Sequence, residues 1–199
     1  MKLLNLAVLL SGSGRTLQNF IDLGAQGKLP VNIQVVISSK KDAYGLERAK
    51  KHNIPNYLVE RKQYKSPEEH SAAINNILKQ YPIDLITLAG FIHLYKIPTE
   101  YMGKVMNIHP ALLPEFGGKG FYYNKVHEAV LQAGAKQSGC TVHFADNTYD
   151  TGPIILQKRV PILPNDNPET LSERVCEAEL EAYPEAIRMF AEGKAKFNR

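Results

Sequence analysis

The sequence predicts an α/β fold built on a doubly wound, mostly parallel sheet. Two observations predict it. Short apolar runs rich in Val, Ile and Leu alternate with stretches of helical period through the first half of the chain, the pattern of β-α units. Turn and capping signals, Gly-rich or led by Ser and Asp, separate them.

The elements follow in order. Residues 3–10 read as a strand, and the turn Ser11-Gly-Ser-Gly14 opens a helix over 16–25. Residues 32–38 form a second strand whose Val/Ile content suits burial on both faces. Asp42 is the expected N-cap of a helix running to His52, and a short strand lies near Tyr57. Ser66-Pro67-Glu68-Glu69 reads as cap, first-turn proline and capping-box acid of a helix to about Tyr81. Apolar strands at 85–89 and 105–108 complete this series. Beyond them, 124–133 is helical, 139–144 and 153–160 are strand-like, and a long amphipathic helix spans 170–191. No linker-like shift or repeat interrupts the chain, so one domain over 1–199 is expected.

Composition bounds the function. At 199 residues, 44% hydrophobic and 22% charged, the chain has the makeup of an ordinary globular protein with a sizeable core. A net charge of +4 is too diffuse to argue for nucleic acid, though it helps attract a small anion. The densest basic stretch, 61–65, holds three basic side chains and reads as a solvated loop. Two cysteines, Cys140 and Cys176, show no metal-ligand spacing, so no metal is expected. The first apolar run is too short to span a bilayer and leads into a turn. A cytoplasmic protein without membrane or nucleic-acid partners is the expectation.

The chemistry lies in three short segments. Asn107 and His109 flank Ile108 just past a buried-looking strand, and period-two alternation sends both side chains to one side. A carboxamide can donate to a developing oxyanion, and an imidazole can move a proton near neutrality. Asp150, 41 residues beyond His109, is suited to orient that imidazole, yet it also suits a plain Asp-Gly-Pro turn. His143 points into the same region from the preceding strand and reads as a packed core histidine rather than a catalytic one. Ser11-Gly-Ser-Gly-Arg-Thr16 is either a tight turn or an anion site at a helix N-terminus. Leu17 stands where the dinucleotide fingerprint needs its third glycine, and no G-K-[ST] follows, so one phosphate suits it better than a pyrophosphate. Residues 89–95, apolar and aromatic, suit a slot for a flat heterocycle or ordinary core. Glu179 and Glu181 read as a solvated helix face.

SGSGRTLQ (11–18), DAYGLERA (42–49), LAGF (88–91), NIHPALLP (107–114), CTVHF (140–144), YDTGPIILQ (149–157) and EAYP (181–184) in this order resemble the glycinamide ribonucleotide transformylases, folate-dependent formyltransferases of purine synthesis. The resemblance covers essentially the whole chain. It implies the Rossmann-like formyltransferase fold, with helices on both faces and an antiparallel C-terminal portion. It implies 10-formyltetrahydrofolate as formyl donor and a phosphorylated glycinamide as acceptor, with the protein a monomer or weak homodimer. Asn107 would hold the formyl oxygen, His109 would move the proton and Asp150 would position it. Gly14, Arg15 and Thr16 would bind the phosphate, and Glu179 the ribose hydroxyls. Ile92, His93, Leu94 and Tyr95, with Asp146 in the loop 145–150, would line the pterin slot, and Lys65 would reach the folate tail. The sequence departs from the commoner pattern after Pro114, at His93 and at Cys176. Methionyl-tRNA formyltransferases and formyltetrahydrofolate deformylases share the three catalytic types but carry a further domain. A non-catalytic nucleotide-binding module would keep the turn and have no use for the three.

Overall fold

The computed structural model describes residues 2–197, so Met1, Asn198 and Arg199 of the expected 1–199 domain lie outside the described residues. Seven strands form one sheet: β1 (Leu4–Leu10), β2 (Val31–Ser38), β3 (Asn56–Leu58), β4 (Leu85–Leu88), β5 (Val105–His109), β6 (Gln137–Phe144) and β7 (Ile154–Pro161). Their spatial order is β3-β2-β1-β4-β5-β6-β7. The first five run parallel; β6 pairs antiparallel with β5, and β7 antiparallel with β6. The chain winds outward from β1 to β3, then returns across β1 to β4. That reversal opens a crevice at the carboxyl ends of β1 and β4, where ligands collect in such sheets.

Five helices cover the sheet: α1 (Arg15–Ala25), α2 (Tyr44–Lys51), α3 (Pro67–Leu78), α4 (Asn124–Gln132) and α5 (Pro168–Ala191). Alternation along β1 shows why both faces need cover. Leu6, Val8 and Leu10 pack with Leu17, Phe20, Val126 and Val175 from α1, α4 and α5. Ala7 and Leu9 pack on the other face with Ile74 and Leu78 of α3. A strand apolar at six of its seven positions has two cores to fill.

The caps correct two expectations. Asp42 does not cap α2: Ala43 holds that position with no side-chain bond, and Gly45 N–H instead donates to Gly12 O at 3.1 Å. At α3 the Ser66 hydroxyl accepts from Glu69 N–H as expected, but the Glu69 carboxylate reaches back to Lys65 N–H, one residue before the cap. Helix α5 starts before 170, at Pro168, because Asn167 and Thr170 close a reciprocal capping box.

Two contacts fix α5 to the rest of the molecule. Pro184 lies inside it and has no N–H for the Leu180 carbonyl; the Asn19 side chain donates there instead, at 2.6 Å. The Tyr183 hydroxyl, fully buried, donates to Met106 O at 2.8 Å and reaches Leu88 O at 3.3 Å. One side chain thereby ties the helix to the ends of β4 and β5.

Candidate active site

The ends of β1, β4 and β5, the loop 118–123, the loop 145–150 and one face of α5 enclose a cavity of about 580 Å³. Asn107 and His109 reach it from one face of β5, while Ile108 between them enters the core on the other. β6 runs antiparallel beside β5 and sets His143 opposite Asn107 and Thr141 opposite His109. Thr141 fixes the loop after β5 by donating to Ala111 O at 2.7 Å and accepting from Leu113 N–H at 3.0 Å.

Asp150 arrives from the excursion between β6 and β7. Asp146 braces that loop, its carboxylate accepting from Thr148 N–H at 2.8 Å and from the Thr151 hydroxyl at 3.0 Å. Asp150 adopts a left-handed backbone with φ 56°, a conformation that Asp and Asn tolerate better than other side-chain-bearing residues. Its carboxylate lies 3.5 Å from His109 Nδ1 and 3.6 Å from His143 Nε2. It accepts from Asn107 Nδ2 at 3.2 Å and from Gly118 N–H at 2.9 Å. Burial opposes its charge, but His143, His109 and the Gly118 amide together hold its pKa below the usual carboxylate value.

The histidine tautomers follow from their acceptors. His143 Nδ1 donates to Phe144 O at 2.8 Å, so Nε2 accepts from Asn107 Nδ2 at 3.1 Å. His109 Nε2 donates to Phe116 O at 2.8 Å, which leaves Nδ1 facing the carboxylate. Burial pulls the His109 pKa below its ordinary value; Asp150 and the Phe116 carbonyl push the other way, and His143 adds to the lowering. With Nε2 engaged by the Phe116 carbonyl, His109 turns Nδ1 to the Asp150 carboxylate across 3.5 Å. The gap between them is a seat for one more proton.

The other expected residues divide. Gly14, Arg15, Thr16, Ile92, His93, Leu94, Tyr95, Asp146 and Glu179 all line the cavity. Tyr95 contributes little of its ring: it is 2% exposed, and its hydroxyl donates to Asn75 Oδ1. The amides of Ile92 and Leu94 are taken by the Ser11 and Tyr149 hydroxyls. Burial first, then His70, Arg61 and Lys40, lowers the His93 pKa to about 4. Lys65 is exposed and lies outside the cavity lining. Glu179 is not a solvated residue; it borders the cavity, whereas the exposed Glu181 pairs with Lys158 at 2.9 Å.

Burial raises the Glu179 pKa from 4.5 to about 7, with Arg15 opposing. A carboxyl that binds its proton more tightly folded than unfolded favours the fold below the unfolded pKa, and that benefit fades as pH rises to about 7. Glu179→Gln should therefore melt higher than the parent at pH 8 and level with it near pH 4. A melting-temperature difference independent of pH would contradict this.

His143, read from sequence as packed core, sits inside the polar cluster. His127 and Tyr123, which sequence reasoning passed over, also line the cavity. The His127 pKa is drawn down to about 4 by burial and by His109. Its only sequence signal was a histidine on the apolar face of a short helix. Among the described residues no cluster of three His, Cys, Asp or Glu side chains is placed to hold a metal ion. No helix of the described chain is long and apolar enough to cross a membrane.

A family model described as formyl transferase matches residues 4–187. The chain belongs to the formyl transferase family. Phosphoribosylglycinamide formyltransferase of Haemophilus influenzae is 40% identical over 193 residues, which is 96% of this chain and 89% of that protein. The trifunctional purine biosynthetic protein adenosine-3 of Drosophila melanogaster is 42% identical over 194 residues, and there the match spans 14% of the larger protein. The crystal structure of glycinamide ribonucleotide transformylase 1 from Symbiobacterium toebii superposes with a TM-score of 0.89 at 41% identity, covering 96% of this chain and 89% of that one. In this formyl transferase family member the polar cluster and the Gly-rich turn open onto one cavity, with the 88–95 segment between them.

Proposed function

We propose that this chain transfers the formyl group of 10-formyltetrahydrofolate to the amine of N1-(5-phosphoribosyl)glycinamide, in the cytoplasm, as a step of de novo purine synthesis. The observation that carries this reading is the meeting of Asn107, His109 and Asp150 with the Ser11–Gly14 turn in one cavity. A phosphate on the turn amides and a ribose at Glu179 direct the acceptor amine toward the β5 end. The apolar stretch from Leu88 to Tyr95, with the 145–150 loop, gives the flat pterin its slot.

The amine attacks the formyl carbon, a new C–N bond forms and the carbonyl oxygen becomes an oxyanion. Asn107 is the donor to that oxygen. Its two Nδ2–H groups point to Asp150 and to His143 Nε2; the Asp150 carboxylate is the stronger acceptor, so the N–H now on His143 is the one that turns to the oxyanion. The attacking amine becomes cationic and gives its proton to His109 Nδ1, where Asp150 and the Phe116 carbonyl stabilise the imidazolium. That proton goes on to the folate nitrogen as its bond to the formyl carbon breaks. No residue bonds covalently to the formyl group.

The test follows folate release from 10-formyltetrahydrofolate supplied with glycinamide ribonucleotide, with water alone or with methionyl-tRNA. Rapid release with the ribonucleotide alone is expected. Release with water alone would assign a deformylase, release only with methionyl-tRNA a tRNA formyltransferase, and none at all a binding module.

A further inference from the structure

The Ser11–Gly14 turn has its carbonyls occupied and its amides open. Gly12 O accepts from Gly45 N–H at 3.1 Å, Gly14 O from Gln18 N–H at 3.0 Å, and Ser13 O from Arg48 Nε at 2.9 Å. Among the described residues no protein acceptor takes the amides of Gly12, Ser13 or Gly14. The turn thus presents donors from below, and the side chains that stand above it decide what it holds.

Tyr123, from the loop before α4, is one of them, and Lys40 lies against its ring without itself lining the cavity. The Tyr123 hydroxyl lies over the turn, 3.6 Å from where a β-carbon on Gly12 would sit. The Lys40 ammonium, two residues past the end of β2, lies 5.6 Å from the Tyr123 ring centroid, and no ion pair takes it up among the described residues. Burial, with Asp42 and Tyr122, pushes the Tyr123 pKa up, so the phenol keeps its proton and remains a donor. The facing wall on α5 offers Cys176, whose thiol burial holds protonated; it supplies an anion with neither charge nor a strong donor.

The backbone gives an independent sign. Tyr123, just before α4, has φ 52° and ψ −141°, outside the left-handed helical well and in ground that suits glycine. An aromatic residue there is strained, and such strain gathers where a side chain has a task. Nothing in the core requires this ring, which is 46% exposed.

We propose that Tyr123 and Lys40 cap the substrate phosphate from the side opposite the turn, and that Tyr123 selects a phosphorylated acceptor over its unphosphorylated counterpart. The proposal rests on the phosphorylated-amine reading above. The phenol donates one hydrogen bond to a phosphate oxygen, and Lys40 adds a second positive charge to that of Arg15, where Cys176 brings none.

The experiment measures steady-state constants of the parent, Tyr123→Phe, Tyr123→Gly and Lys40→Met on glycinamide ribonucleotide and on its dephosphorylated riboside. Losing a hydrogen bond to a charged oxygen should raise the ribonucleotide KM about tenfold in Tyr123→Phe. The formyl-folate KM, kcat and the riboside kinetics should stay with the parent's, and Lys40→Met should show the same pattern. Tyr123→Gly should also raise the ribonucleotide KM while melting higher than the parent, since glycine takes this backbone without strain. An active parent with an unchanged Tyr123→Phe KM, or an equal rise on the riboside, overturns the proposal alone. A parent inert on the ribonucleotide overturns both the functional reading and the proposal.

Discussion

Asp150→Asn should fold like the parent and turn over on the order of 10³-fold more slowly or worse. The substitution is nearly isosteric, and Asn is at least as comfortable as Asp at the left-handed φ of 56°. Its oxygen can still accept from Gly118 N–H, which the native carboxylate does at 2.9 Å. What it loses is charge. The amide cannot stabilise an imidazolium at His109, 3.5 Å away, and its NH2 group then faces Asn107 Nδ2, a donor set against a donor. The check is kcat at saturating levels of both substrates, beside a melting curve. Turnover within about tenfold of the parent's would remove Asp150 from the proton path.

Gly152→Ala should be the most damaging small substitution in this region. A β-carbon at Gly152 would lie 1.9 Å from the Phe144 carbonyl oxygen and 2.9 Å from its carbon. Both belong to backbone at the end of β6, where Phe144 N–H donates to Pro153 O at 2.9 Å, so neither can swing aside. Overpacking against fixed backbone costs about 3 kcal/mol, or roughly 6–12 °C in Tm for a chain of this size. Activity should fall as well, because relieving the clash moves the turn that carries Asp150 two residues earlier. Gly24→Ala is the contrast: its β-carbon would meet Val31 at 3.7 Å, an ordinary contact inside α1, and helix propensity favours alanine by up to about 1 kcal/mol. Matching melting temperatures for the two variants would contradict this account.

The parallel half of the fold was legible because its strands are apolar at successive positions and each helix is punctuated by a turn. β1 illustrates it, with both of its faces buried. Helix starts were read less well. Asp42 has capping chemistry, but the approach of Gly45 to the Gly12 carbonyl sets where α2 begins. The Asn107–His109 pair was legible from period two alone. Its link to Asp150 was not, since it depends on the register of β6 and on a loop braced by Asp146. His143 was read as a buried histidine pointing into the same region, but its bond to Asn107 was not legible for the same reason: only the pairing of β5 with β6 sets it opposite Asn107. Glu179 looked like a surface residue because its helix alternates charge around its length, and only the cavity shows which side is walled.

Helix α5 also acts as a caliper. Glu179 borders the cavity, and Tyr183, four residues on, is bonded to the carbonyl of Met106, the residue before Asn107. A rise of about 6 Å, four residues at about 1.5 Å each, separates these two fixtures, and the Asn19 side chain repairs the turn that Pro184 would otherwise leave open. The spacing between the jaw at Glu179 and the jaw at Asn107 is therefore fixed by a stiff rod, whatever the surface loops do. On the proposed reading, an acceptor one bond too long or too short would miss the formyl carbon even with its phosphate on the turn.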